Sequence, residues 1–411
     1  MDEQKEKAIL IGIDDGTYDS EHSIDELRLL ADTAGAETLL TAIQQRPAPD
    51  AATFIGVGKL FEIREIAEAN EADLLIFDGE LTPTQQRNIE KLTDIRTIDR
   101  TTLILDIFAL NAKSGAGKLQ VELAQLNYML PRLGGKGTEL SRLGGGIGTR
   151  GPGESKLESD RRHIRRRIKY IEEELKRTEK NRALIRGARK KRGVVTVAVV
   201  GYTNAGKSTL LNALTDAGVL AQDKLFATLD PTSRALKLPD GRSVMLIDTV
   251  GFISRLPHTL VEAFKSTLEE AAGADLILNV CDASDEHFDE HLRITRDILT
   301  ELGAGATPEV TVLNKCDACA DVFMLPFGRH VVRISALQKK GLDELLDEIS
   351  KALPDTVRRV ELLIPYTDGG AVASLRELGR VENEEYTENG VRVTALIDKR
   401  YLSRFEKYGK F

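Results

Sequence analysis

The pattern of apolar and polar positions changes character several times along the chain. Over residues 1–110, apolar runs at 8–13 and 74–77, and a weaker one at 95–98, alternate with stretches of helical period. That alternation predicts a small α/β unit. Ser23-Ile24-Asp25-Glu26 sets a serine three residues ahead of an acid, which predicts a capping box opening one of the helices. Gly56-Val57-Gly58-Lys59 reads as a turn, because two glycines and a lysine are too common to specify an anion site at a helix N-terminus. Helical periodicity dominates at 118–130 and again at 156–189, where Glu172 and Glu173 precede Lys176 and Arg177 by four positions each. Such spacing places the charges on one helix face. The two stretches are expected to be the arms of an antiparallel helical hairpin.

At 194–200 the chain becomes apolar and β-branched, and further apolar runs follow at 244–247, 276–280, 310–313 and 331–334 with helix-period segments between them. These predict a doubly wound α/β domain with a mainly parallel sheet. From residue 358 the order reads strand, helix, strand, a turn at Asn389-Gly390, strand and helix. The expected fold class is therefore α/β in four parts: an N-terminal α/β domain at 1–110, a helical hairpin at 111–192, the doubly wound domain at 193–355 and a small α+β domain at 356–411.

Composition narrows the class. A chain of 411 residues with 41% hydrophobic and 30% charged residues is globular and large enough for several cores. Its apolar runs fall far short of the ~20 residues needed to cross a bilayer, so no membrane span is expected. The mixed, acidic start Met1-Asp2-Glu3-Gln4-Lys5 is not followed by a secretory apolar region. Cys281, Cys316 and Cys319 are an odd set that leaves no disulfide framework, which points to the cytosol.

Charge is divided unevenly. Residues 111–192 hold 22 Lys and Arg against 9 Asp and Glu, or +13, so a chain of net −8 carries −21 elsewhere. Such a local excess suits a polyanion, with a solvated helix face as the plain alternative. Within it, residues 134–153 contain nine glycines interleaved with Lys136, Arg142 and Arg150. A hairpin tip rarely needs so long a connector. Glycine lets backbone approach a phosphate or base closely while the spaced cations attract it, so a nucleic-acid contact is favoured over a flexible linker.

The strongest chemical signal is Gly201-Tyr202-Thr203-Asn204-Ala205-Gly206-Lys207-Ser208, a G-x-x-x-x-G-K-S phosphate loop directly after a predicted buried strand and before a helix. Its backbone N–H groups can surround phosphates, Lys207 can neutralise the β- and γ-oxygens, and the Ser208 hydroxyl can ligate Mg²⁺. Asp248-Thr249-Val250-Gly251 ends a later strand, placing Asp248 to hold Mg²⁺ and the Gly251 N–H to meet the γ-phosphate. Asn314-Lys315-Cys316-Asp317 follows another strand. The Asp317 carboxylate can accept from guanine N1–H and its 2-amino group, two donors adenine lacks, which argues for GTP. Ser335-Ala336-Leu337 fits the loop that braces the base. Phe226-Ala227-Thr228-Leu229-Asp230-Pro231-Thr232 lies where a γ-phosphate-sensing segment belongs, with Thr228 a further Mg²⁺ ligand. Lys207, Thr228 and Gly251 are thus the expected catalytic residues.

Phe252 stands where many GTPases carry a water-orienting glutamine, and a phenyl ring cannot orient water, so slow intrinsic turnover is expected. His287 and His291 are four apart among Asp285, Glu286, Asp289 and Glu290, read as a solvated acidic face rather than a metal site. Cys316 and Cys319 form a lone C-x-x-C without a second pair, read as incidental to the base-selecting loop.

Residues 204–209, 226–232 and 248–253, and above all Gly144-Gly145-Gly146-Ile147-Gly148-Thr149-Arg150-Gly151-Pro152-Gly153-Glu154 with Asp160-Arg161-Arg162, resemble the HflX GTPases. The resemblance spans residues 1–355, and Phe252 also fits it. It implies a GTPase that associates with the large ribosomal subunit and serves in splitting or rescuing stalled ribosomes or in biogenesis. It further implies ATP hydrolysis as a side activity and a cytoplasmic location, with partial membrane association as the alternative. Contact with rRNA through residues 134–153, ribosome-stimulated hydrolysis and a monomeric chain complete the expectation. Two other readings stand beside it: a GTP-controlled binding switch for a protein partner, and an ATP-using RNA remodeller.

Overall fold

The structure is a computed structural model that describes residues 5–134, 152–191, 193–215, 225–226, 232–255, 257, 260, 271–319, 330–354 and 356–409. Their packing forms two compact units. The first takes in the described residues up to Asn181 together with Leu225, Phe226 and those from Ser254 to Leu260. The second takes in the remainder, from Arg182.

The first unit is built on a parallel sheet of β1 (Lys7–Asp14), β2 (Glu37–Gln45), β3 (Leu74–Phe77) and β4 (Arg96–Asp99) in the order β2-β1-β3-β4. Strands β1 and β3 are buried along almost their whole length, as expected of central strands covered by helices on both faces. The helices are α1 (Ser20–Thr33), α2 (Val57–Asn70), α3 (Pro83–Thr93) and α4 (Arg100–Asn111). Ile9, Ile11, Ile13, Leu60, Ile63, Phe77 and Ile89 form one core, with Phe54 packed edge-on against Phe77. Strand β2 was absent from the apolar pattern because it lies at the sheet edge, half-exposed throughout.

Two local expectations are corrected here. Asp19, not Ser23, caps α1, accepting from the His22 N–H at 3.0 Å, which leaves Ser23 and Glu26 buried inside the helix. Gly56 is the N-cap of α2, so the glycine pair opens a helix rather than forming a free turn, and Lys59 is paired with Glu62.

The basic segment contains α5 (Gly115–Met129), capped by the Ser114 hydroxyl, and the 40-residue α6 (Pro152–Lys191). Arg167 on α6 grips Glu122 on α5 with two hydrogen bonds of 2.6 and 2.7 Å. Arg177 pairs with Glu174, three residues back, instead of Glu173. The glycine-rich residues 135–151 lie outside the described residues.

The second unit centres on a six-stranded sheet of β5 (Val195–Gly201), β6 (Ser233–Lys237), β7 (Ser243–Asp248), β8 (Leu276–Asp282), β9 (Glu309–Asn314) and β10 (Val331–Arg333), ordered β10-β9-β8-β5-β7-β6. All pairings are parallel except β6 with β7, an edge strand whose exposed residues left no apolar run. The chain leaves β5 between β7 and β8, where doubly wound sheets open a crevice at the carboxyl ends of their strands. Packed with the sheet are α7 (Lys207–Thr215), α8 (Phe288–Glu301) and α9 (Leu342–Ala352).

The same unit carries a three-stranded antiparallel sheet, ordered β11 (Val357–Ile364), β13 (Gly390–Asp398), β12 (Gly379–Thr387), covered by α10 (Gly369–Leu378). Gly390 opens β13 at φ 143° instead of sitting inside the turn, and a Cβ there would lie 2.3 Å from the Ile364 carbonyl oxygen. Two 3₁₀ turns replace the terminal helix. Arg242, just before β7, holds the end of α9 by donating to the carbonyls of Ser350 (2.5 Å) and Pro354 (2.8 Å).

Candidate nucleotide site

The turn from β5 into α7 requires backbone that side chains would obstruct. Gly201 has φ 145° and Gly206 φ 87°, and a Cβ at either would stand 2.0 Å from the Val280 oxygen or 2.3 Å from Asn314 Nδ2. Asn204 also takes a left-handed conformation, which its short polar side chain tolerates. Because α7 begins at Lys207, the loop aims its first-turn N–H groups at one point, the arrangement that binds anions. Lys207 is buried with its ammonium donating to the carbonyls of Gly201 (3.1 Å) and Tyr202 (2.7 Å). Burial pulls its pKa down to about 8, with nearby Asp248 opposing the fall.

The Asp248 segment is stitched to this loop through backbone. Thr203 N–H donates to the Phe252 oxygen at 2.7 Å, and Phe252 N–H to the Gly201 oxygen at 3.1 Å. Gly251 is forced by its surroundings: a Cβ would meet Lys207 Nζ and Thr203 Cγ2 at 2.9 Å and Thr203 Cα at 3.0 Å. The Thr249 hydroxyl donates to the Val199 oxygen at 2.8 Å, and Val250 is buried. Phe252 is 1% exposed, so its ring is part of the packing and offers nothing to water. The Ser208 hydroxyl donates to Asp248 Oδ2 at 3.2 Å. A hydroxyl and a carboxylate, both hard oxygen donors, fit Mg²⁺, which takes one or two protein oxygens alongside substrate phosphates.

Two further loops meet the phosphate loop through Asn314. Its amide nitrogen donates to the Ala205 oxygen (2.9 Å) and its amide oxygen accepts from the Ala336 N–H (3.0 Å). Lys315, at φ 62°, pairs with Asp282 at 2.7 Å. The Ser335 hydroxyl hydrogen-bonds the Asp317 carboxylate and holds it below the usual carboxylate range, while Lys340 and Lys315 act in the same direction. Ser335 also accepts from the Gln338 N–H at 3.1 Å, and Leu337 is 79% exposed.

Residues 201–208, 248–251, 314–317 and 335–336 thus form one connected framework. Ala227, Thr228, Leu229 and Asp230 lie outside the described residues. Phe226 belongs to the first unit, packed edge-on against Phe108 at 4.7 Å, with its oxygen accepting from Asn111 Nδ2.

Sequence reasoning missed two clusters. In the first unit, Arg100 is 2% exposed and binds both Glu26 and Asp78, the latter at 2.9 Å. Ser254 donates to Glu26, while Arg255 reaches Asp78 at 2.9 Å and lies 4.1 Å over the Tyr18 ring. Two arginines thus balance two buried carboxylates around the residues that follow Ile253. The supposed cap at Ser23 and Glu26 was the available signal: both residues are polar because they serve this network. In the second unit, His291 is buried and stacks on Tyr202 of the phosphate loop, centroids 3.7 Å apart and planes 11° from parallel. It is buried rather than part of a solvated face, which corrects that expectation.

A glycine-lined phosphate loop, a carboxylate at a neighbouring strand end and an Asn-Lys-x-Asp base loop on a doubly wound sheet define a P-loop GTPase. Residues 21–109 match a family described as GTP-binding GTPase N-terminal, 111–189 one described as GTP-binding GTPase Middle Region, and 196–315 one described as 50S ribosome-binding GTPase. The GTPase HflX of Caldanaerobacter subterraneus subsp. tengcongensis is 51% identical over 98% of this chain and 94% of its own. That of Escherichia coli (strain K12) is 43% identical over 94% and 92%. A GTP-binding protein from Sulfolobus solfataricus, solved in complex with GDP, aligns with 84% of this chain and 98% of its own at 27% identity and a TM-score of 0.44. The chain belongs to the HflX GTPase family, binds GTP and is a GTP hydrolase. Among the described residues no helix is long and apolar enough to cross a membrane.

Proposed function

We propose that this GTPase depends on Mg²⁺, binds the large ribosomal subunit through residues 134–153, and acts in ribosome splitting, rescue or biogenesis. The subunit accelerates a slow intrinsic hydrolysis. In this reading the phosphate loop wraps the polyphosphate, Lys207 neutralises the oxygens between the β- and γ-phosphates, and Gly251 donates its N–H to the γ-phosphate. Asp317 reads guanine while Ser335, Ala336 and Leu337 brace it. Ser208, Asp248 and Thr228 hold the ion, whose chemistry is to neutralise charge developing on the phosphates. Division at residues 110, 192 and 355 separates the four working parts.

One observation carries the ribosomal half of this reading. Helix α6, which follows the glycine-rich segment in the sequence, exposes Arg162, Arg165, Arg166 and Lys169, a cationic surface suited to RNA phosphates. Its position in the chain, ahead of a domain matching a 50S ribosome-binding description, supports the large subunit as the target. Phe252, buried and without a hydrogen-bonding group, leaves water positioning to other groups, which favours activation by a partner. The test is single-turnover GTP hydrolysis with and without purified large subunits, for the parent and for a protein lacking residues 134–153. Subunits should accelerate the parent and not the deletion, with intrinsic rates nearly equal; equal stimulation of both refutes the proposal.

A further inference from the structure

The three cysteines of the chain gather in one place. Cys281 on β8 joins Ala283, Leu292 and Leu313 in a small apolar cluster, and Cys316, Cys319 and Phe288 pack against it. Cys281 is buried, its thiol donates to the Phe288 oxygen at 3.2 Å, and burial pushes it up to about 12, so it stays a thiol. The other two flank Asp317 and are partly exposed. They sit on a tight turn in which the Ala318 N–H donates to the Lys315 oxygen at 2.9 Å, anchored by Cys316 N–H to the Ile334 oxygen at 3.1 Å. Both side chains pack against the same small cluster, each thiol donating to a carbonyl of this loop, Cys316 to Leu313 and Cys319 to Lys315.

We propose that Cys316 and Cys319 form a thiol-oxidation site, whose reversible disulfide closes a ring around Asp317 and lowers affinity for guanine nucleotides. A peroxide is the oxidant. Cys319 thiolate attacks one peroxide oxygen, the O–O bond breaks, and hydroxide leaves a sulfenic acid on Cys319. Cys316 sulfur then attacks that sulfur, the S–O bond breaks, and the second oxygen departs as water with the Cys316 proton. Two thiols and one hydrogen peroxide become one disulfide and two waters, the sulfurs losing the two electrons the peroxide gains.

Ring closure strains the surrounding framework. The sulfurs must approach to about 2.05 Å. To do so Cys316 must give up its bond to the Leu313 oxygen (3.3 Å) and Cys319 its bond to the Lys315 oxygen (3.6 Å). Those carbonyls bracket Asn314, which ties the loop to Ala205 and Ala336, and the ring contains Asp317 itself. Movement there withdraws Asp317 from Ser335.

The inference rests on the proposed reading of Asp317 as the guanine contact. Full-length reduced protein is treated with hydrogen peroxide, its linkages are mapped by peptide mass spectrometry, and its affinity for fluorescent GDP is titrated before and after dithiothreitol. The expected result is a Cys316–Cys319 linkage with Cys281 still free, an affinity about tenfold weaker, a factor worth 1.4 kcal/mol, and full recovery on reduction. Cys319→Ser should bind GDP as the reduced parent does and ignore peroxide, while Cys281→Ser keeps the response. No linkage between the pair, a linkage that leaves affinity unchanged, or an equal peroxide response in Cys319→Ser overturns the proposal. In parallel, reduced Asp317→Asn is titrated with guanosine and xanthosine nucleotides. A relaxed guanine preference upholds the Asp317 reading whatever the disulfide does; an unrelaxed one overturns it together with the affinity arm.

Discussion

Lys207 offers a direct test of the phosphate site, because its environment fixes both the sign and the size of a pH effect. Burial lowers its pKa from 10.5 to about 8, equivalent to about 3 kcal/mol against the charged form. Folding therefore bears this cost in full below pH 8, and the cost is relieved as pH climbs from 8 toward 10.5. A bound polyphosphate sets negative charge against the ammonium and raises its pKa again. Between pH 8 and the bound value, the complex holds more protons than the free protein, so affinity must fall as pH rises, approaching tenfold per pH unit. The same imbalance appears as proton uptake on binding: about a quarter of a proton at pH 7.5, a half at pH 8 and three-quarters at pH 8.5 for a group titrating at about 8. In that window the terminal phosphate of GDP is ionised and guanine is neutral. Calorimetry of GDP binding in two buffers of different ionisation enthalpy measures the uptake directly. Uptake that stays near zero, or that shrinks as pH rises, would refute the reasoning.

Three substitutions probe the rest of the framework. Gly251→Ala drives a methyl into Thr203 Cα, a backbone atom that cannot yield easily, so single-turnover GTP hydrolysis should fall at least about tenfold for a stability loss of about 1–3 kcal/mol; parental hydrolysis would show that the loop accommodates the methyl. Arg100→Met removes the cation that Glu26 and Asp78 share, leaving Arg255 to face Asp78, and should cost about 3–5 kcal/mol, read as loss of amide-exchange protection confined to the first unit. Unaltered protection in α1 and β3 would mean that the carboxylates find other partners. His291→Ala removes the ring beneath Tyr202, a stack worth about 0.5–1.5 kcal/mol, so GDP affinity should drop about two- to tenfold and recover in His291→Phe; an alanine variant that binds as the parent does would detach this stack from the loop.

What could be read from the chain alone is what neighbouring residues decide together. A phosphate loop needs its glycines, lysine and serine within eight positions, and the strand before it and helix after it follow from local periodicity, so residues 194–214 were legible as a unit. Fully buried parallel strands were legible for the same reason, as continuous apolar runs. Edge strands β2 and β6 were not, since a strand paired on one side keeps polar residues and loses its pattern. The buried charges lay further out of reach. Ser23 meets Asp78 across 55 positions, Arg255 meets Ser23 across 232, and Ser254 meets Glu26 across 228. No local pattern reports such pairings, and a buried serine and glutamate at cap spacing look the same as an exposed pair. His291 shows the opposite failure, in which acidic neighbours suggested solvent while the helix turned that one ring inward onto Tyr202. Sequence by itself determined the chemistry of the nucleotide loops, because that chemistry is carried by contiguous residues. Tertiary structure alone decided which polar side chains are buried and what they hold, because burial depends on surfaces that only the folded chain brings together.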